Sequence, residues 1–120
     1  MNNKTYLKKL IIVDFDDTLC IHPADDKSDI ENGLPNIELI KKLNKLYDDG
    51  YNIEIHTARG HFSCESRYHA ELIYRPIIEE WLEHNKVKYD LLNFNKPYGI
   101  IYIDDKAVRP NELNLLEGLL

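Results

Sequence analysis

Four apolar residues, Leu10-Ile11-Ile12-Val13, run without a polar break into Asp14-Phe15-Asp16-Asp17-Thr18. A run that is apolar on every side chain reads as a strand buried on both faces, as in the middle of a parallel sheet. Residues 6–14 are therefore predicted to form the first strand. Residues 20–34 carry Pro23, four acidic residues and Gly33 with little periodicity, which predicts a loop or small flap over that strand's end. From Pro35 the period becomes helical. Ile37, Ile40, Leu43, Leu46 and Tyr47 recur at spacings of three and four, opposite Lys41, Lys42, Asn44 and Lys45, and Gly50 supplies a stop.

Tyr51 to Thr57 alternates as a second strand and runs into Thr57-Ala58-Arg59-Gly60. After a loop from His61 to Ser66, a helix is predicted over 67–84, with Leu72, Ile73, Ile77, Ile78, Trp81 and Leu82 buried and a kink or break at Pro76. Tyr89 to Phe94 is a third strand. Ile100-Ile101-Tyr102-Ile103 is a fourth, closing on Asp104-Asp105 and so repeating the design of the first. Residues 111–120 suit a last short helix. Strand and helix alternate throughout, which predicts an α/β fold: a three-layer, Rossmann-like arrangement of a central parallel sheet between helices.

Composition narrows the class. A length of 120 residues, 1–120, suits one domain with a real core. The 43% hydrophobic and 30% charged content is that of a soluble globular chain. No stretch approaches the roughly 20 apolar residues that span a bilayer, and Met1-Asn2-Asn3-Lys4 has no signal-peptide design. Cys20 and Cys64 form no disulfide or metal framework, which points to a reducing cytoplasm. A net charge of −6 argues against nucleic acid as the main partner, since that binding needs a basic face.

Chemistry concentrates where strands end. In an open α/β sheet the ligand crevice lies outside the carboxyl ends of the strands. The predicted ends deliver Asp14 and Asp16, Thr57, and Asp104 and Asp105, with Lys96 just before the last strand. Singly each has an ordinary explanation: a helix cap, a turn, a solvated lysine. Together, carboxylates from two strands, a hydroxyl and an ammonium suit a phosphoryl group held against a cation. Crowded carboxylates repel unless a cation compensates, and hard oxygen ligands select Mg²⁺. Arg59 can fork onto a phosphate oxygen or a substrate carboxylate or hydroxyl. His22 and His61 lie in loops near the same edge; the ordinary reading of each is a solvated loop histidine, and contact with a leaving group is the alternative.

In that order and over about residues 10 to 105, these segments resemble the four motifs of the haloacid dehalogenase superfamily of phosphohydrolases. Asp14-Phe15-Asp16-Asp17-Thr18 resembles its first motif, Thr57 its second, Lys96 its third and Asp104-Asp105 its fourth. The resemblance implies that Asp14 is the nucleophile forming an aspartyl-phosphate. It implies Asp16 as general acid and then base, Thr57 as a hydrogen-bond partner of the phosphoryl group, and Lys96 as the neutralising cation. Arg59 joins Thr57 and Lys96 as substrate-binding. Asp14, Asp16 through its main-chain carbonyl, and Asp104 would bind Mg²⁺, with Asp105 assisting or replacing Asp104.

Neither the gap from Thr18 to Thr57 nor that from Thr57 to Lys96 has room for a separate cap domain. The chain is similar to small capless phosphatases of bacterial polysaccharide and capsule sugar pathways, which makes a phosphorylated sugar or sugar acid the first substrate expectation. A phosphorylated polynucleotide end is the alternative. An open site also invites a roof, so a homodimer or homotetramer is expected, with a second chain over the crevice near residues 20–34. A receiver-like signalling module takes phosphate on an aspartate without turnover, but its acidic pair and accepting aspartate fall on strands in the opposite order. A catalytically silent binding domain has little to recommend it while these residues are intact.

Overall fold

The computed structural model describes residues 3–23, 29–61, 63–116 and 118–119. In chain order they form α1 (Asn3–Lys8), β1 (Leu10–Asp14), β2 (Cys20–Ile21), β3 (Leu34–Pro35), α2 (Ile37–Asp48), β4 (Asn52–His56), α3 (Arg67–His84) and β5 (Leu91–Asn93), then a 3₁₀ turn over Leu113–Leu116. The strands β1, β4 and β5 make a parallel sheet in that order, flanked by helices, so the α/β expectation holds in outline. Register is what matters for the site. Asp14 stands opposite His56, and His56 opposite Asn93, so the three carboxyl ends are level.

Side chains alternate across a sheet with period two, and the two faces here are unlike. Val13, Ile53, Ile55 and Leu92 point into one core with Leu39, Ile40 and Leu43 of α2 and Ile78, Trp81 and Leu82 of α3. Burying an aliphatic side chain of this size contributes about 1.5–3 kcal/mol, so this layer holds the domain together. The alternate row is Ile12, Glu54 and Leu91, with Ile12 58% and Leu91 47% exposed. β1 is thus buried on one face, not on both as its composition predicts. Among the described residues α1 meets the second face, where the Tyr6 hydroxyl donates to Glu54 Oε2 at 2.7 Å and Asn52 Nδ2 to the Tyr6 carbonyl at 3.4 Å. Those contacts hold residues 6–8 as helix, so the first strand begins only at Leu10.

The expected flap is a two-stranded ribbon, Cys20 pairing with Pro35 and Ile21 with Leu34 antiparallel; its residues 24–28 lie outside the described ones. Trp81 pins it, donating from Nε1 to the Gly33 carbonyl at 3.0 Å while its ring meets Phe15 edge-on at 5.3 Å. Asn36, not Pro35, starts α2. Its Oδ1 accepts from Leu39 N at 3.3 Å, while its Nδ2 donates to the Thr18 carbonyl at 3.1 Å, tying the helix to the loop after β1. At the other end Gly50, with φ +101°, lets Tyr51 N reach the Leu46 carbonyl at 3.0 Å.

Helix α3 has the predicted bounds but a different inner face. Ala70, Ile78, Trp81 and Leu82 are buried, whereas Leu72 is 59% and Ile73 43% exposed. A sheet of three strands presents one narrow stripe, and residues 70, 74, 77, 78 and 81 fill it. Pro76 does not break the helix. The carbonyl it deprives of a partner is that of Leu72, on the solvent side, where water can replace the lost bond.

The fourth strand is absent. Residues 100–103 lie outside the sheet, with Ile100 97%, Ile101 70%, Tyr102 51% and Ile103 95% exposed. Only residues 94–99 separate them from β5, and a parallel crossover takes a dozen residues or more. The last helix shortens to the turn at Leu113–Leu116, with 117 and 120 outside the described residues. No described helix is long and apolar enough to cross a membrane.

Candidate active site

β1 ends at Asp14, and the chain turns at once. The Phe15 carbonyl accepts from Leu19 N at 3.1 Å and Cys20 N at 3.0 Å, while Asp17, at φ +58°, closes the loop through its N–H to the Cys20 carbonyl at 2.8 Å. Aspartate tolerates this left-handed backbone better than most residues. The turn brings Thr18 back over the strand end, where its Oγ1 donates to Asp14 Oδ2 at 3.2 Å. The other oxygen, Oδ1, meets Lys96 Nζ at 2.9 Å. Asp14 keeps 31% of its side chain exposed, so it is held on both oxygens and still open to a ligand.

Asp16 points into a different environment. Its Oδ1 pairs with Arg59 Nη2 and lies 2.9 Å from His22 Nε2. His22 is 7% exposed, and its Nδ1 is buried without a hydrogen-bond partner among the described residues. It is therefore a wall of the site rather than a solvated loop histidine. His61 instead faces Tyr98, ring centroids 6.3 Å apart.

Arg59 is aimed by the turn after β4. Thr57 N donates to the Asn93 carbonyl at 2.9 Å, extending the sheet by one bond, and Thr57 Oγ1 accepts from Arg59 N at 3.0 Å. Gly60, at φ +81°, lets this turn approach α3 so closely that a Cβ there would stand 2.6 Å from that of Ala70. The guanidinium lies 5.7 Å from the centre of the Tyr74 ring. Tyr74 is a positioning residue that sequence reasoning missed; its spacing from Ala70 and Ile78 marks it only as core. Tyr102 is a second, its ring 4.6 Å from Lys96 Nζ. Cys20 sits beneath Asp16, and burial, then the Asp16 charge, pushes its thiol up to about 12, so it serves as packing and not as a nucleophile.

The structure thus brings together Asp14, Asp16, Thr57, Arg59 and Lys96. It does not bring in Asp104 and Asp105, which lie on the exposed chain after Ile103, with Asp104 Oδ1 accepting from Lys106 N at 2.8 Å. Among the described residues no three His, Cys, Asp or Glu side chains converge as a metal would require. The donors expected to hold Mg²⁺ do not fit one ion within a single chain, because the segment carrying the last two is not a strand beside β1.

A solved structure from Vibrio cholerae, a structural-genomics (MCSG) target, is similar to this chain at 37% identity and a TM-score of 0.76. The match covers 92% of this chain and 95% of that one. The description of that protein names no activity. No protein-family model and no curated protein matches the chain.

Proposed function

We propose that the protein is a phosphomonoesterase of the haloacid dehalogenase type, without a cap domain, that works through an aspartyl-phosphate. The observation that carries this reading is the clamp on Asp14: a lysine ammonium at 2.9 Å on one oxygen and the Thr18 hydroxyl at 3.2 Å on the other. A carboxylate attacks a phosphate dianion only when their mutual repulsion is suppressed, and Lys96 supplies a cation to both. Asp14 attacks phosphorus, the ester oxygen departs with a proton from Asp16, and Asp16 then takes a proton from the water that releases phosphate. Thr57 and Arg59 hold phosphoryl or neighbouring substrate oxygens, Arg59 first giving up its pairing with Asp16.

On this reading Mg²⁺ would be held by Asp14 and the Asp16 carbonyl, with Asp104 and Asp105 outside its reach in the arrangement described, and it would offset the charge of the phosphoryl oxygens. A small phosphorylated metabolite, such as a sugar phosphate of polysaccharide synthesis, suits an open site beside Arg59. The acidic net charge of −6 disfavours a polynucleotide.

The test is release of inorganic phosphate from a generic aryl phosphate with Mg²⁺ present. Asp14→Asn lowers kcat roughly a thousandfold or more, and Asp16→Asn about a hundredfold or more. Full activity in Asp14→Asn contradicts the proposal, and a stable phospho-protein without turnover indicates a receiver module instead.

A further inference from the structure

We infer that Tyr98 and His61 form the platform for the leaving group. The site then takes a phosphomonoester whose leaving group presents the flat face of a ring, a sugar or a base, in preference to an open chain of the same charge. This subsite deepens the phosphatase reading and rests on it for turnover, not for binding.

Both loops that carry the site's cations carry an aromatic ring two positions further on: Tyr98 after Lys96, and His61 after Arg59. Two residues of chain reach about 7 Å at most, so each ring stays beside the cation of its own loop. The turn after β4 closes with His61 N donating to the Ala58 carbonyl at 3.1 Å. The two rings meet with centroids 6.3 Å apart and planes tilted by 35°, an aromatic pair that links the two loops.

The loop bearing Tyr98 is built to hold its shape, and Tyr102 is its hub. The Tyr102 hydroxyl donates to the Pro97 carbonyl at 2.6 Å and accepts from Gly99 N at 3.0 Å, on either side of Tyr98. Its ring lies 4.6 Å from Lys96 Nζ, which in turn meets Asp14 Oδ1 at 2.9 Å. A Cβ on Gly99 would stand 3.2 Å from the Ile101 carbonyl and 3.6 Å from the Tyr102 ring, so the turn is tightly closed. One residue therefore fixes both the ammonium that grips Asp14 and the backbone that presents Tyr98. Tyr98 nevertheless keeps 52% of its surface exposed, and His61 is exposed as well.

A single exposed aromatic is ordinary on a protein surface. A pair tied between the two cations that hold Asp14 and Asp16 has the make-up of a ligand subsite, aromatic faces beside a few placed charges. Stacking accepts any ring with a face to offer. An open chain has to give up its rotamer freedom to lie on the same surface. The platform thus selects shape while Lys96 and Arg59 select charge, and holding phosphate and ring at once orients the ester bond for attack by Asp14.

The test compares kcat/KM for glucose 6-phosphate, adenosine 5′-monophosphate and sorbitol 6-phosphate, the last an open chain carrying the same phosphate. The wild-type chain should prefer at least one of the two rings over sorbitol 6-phosphate by about tenfold. Tyr98→Ala should bring that ratio near one, His61→Ala should lower it about threefold, and Tyr98→Phe, which keeps the face, should preserve it. The ring with the larger Tyr98-dependent loss names the ligand. Preference for neither ring, or a preference that survives Tyr98→Ala, overturns the inference. Saturation-transfer NMR from the aromatic protons, in Asp14→Asn, reads binding without turnover. Transfer onto the ring protons of glucose 6-phosphate or adenosine 5′-monophosphate, lost when Tyr98→Ala is added, is the expected result; no transfer, or transfer indifferent to Tyr98, overturns it. If the wild-type chain releases no phosphate, saturation transfer still decides the subsite, and only the phosphatase reading falls.

Discussion

Asp14 and Asp16 are two residues apart and do different work because their neighbours differ. Asp14 is gripped by a lysine and a hydroxyl and remains a third exposed, whereas Asp16 is walled in by Arg59 and the buried His22. Directly below, Cys20 carries the clearest titration signature. Burial first, then Asp16, moves its thiol from 9.0 up to about 12, and Tyr6 moves from 10.0 up to about 12 through burial and its bond to Glu54. Folding therefore favours the protonated forms. Their contribution to stability is complete below about pH 9 and is lost as pH rises through 9 towards 12. Thermal melts should hold their midpoint from pH 7 to 8.5 and fall above it, with a shallower fall in Cys20→Ala; an equally steep fall in that variant contradicts the assignment.

The β2–β3 ribbon and the turn after β4 are the two elements that shape the site walls, and both depend on glycine for close approach. At Gly33 an added Cβ would stand 2.1 Å from Cys20 Sγ and 3.2 Å from the Ile30 carbonyl, with Trp81 already bonded to the Gly33 carbonyl. Gly33→Ala should cost about 1–3 kcal/mol in chemical denaturation and loosen the ribbon around His22; a cost below about 0.5 kcal/mol contradicts this packing. Elements that keep one period are the ones legible in the sequence. The β1 apolar run ending in Asp14, the stripe of α2 and the bounds of α3 all come from local pattern. What local pattern hides is which neighbour is present. Leu72 and Ile73 have the composition of a core face, but the sheet is too narrow to reach them. Tyr6 sits in a strand-like run, yet its hydroxyl is claimed by Glu54. Residues 100–103 have every local feature of a buried strand and yet lie exposed outside the sheet.

Across the molecule, one parallel sheet with level strand ends gathers Asp14, Thr57 and Lys96 from segments more than eighty residues apart in sequence, counting from Asp14 to Lys96. Asp14, Thr57 and Lys96 were legible because each follows or ends an apolar segment; Tyr74 and Tyr102 were not, because aromatic platforms have no spacing of their own. The central claim is that Asp14 takes the phosphoryl group, and mass spectrometry of acid-quenched enzyme tests it most directly. Mixed with a reactive acyl or aryl phosphate and Mg²⁺, the wild-type chain should carry one phosphoryl adduct on the peptide containing Asp14, absent from Asp14→Asn. Phosphate released at the wild-type rate by Asp14→Asn, or an adduct on any other residue, would contradict it.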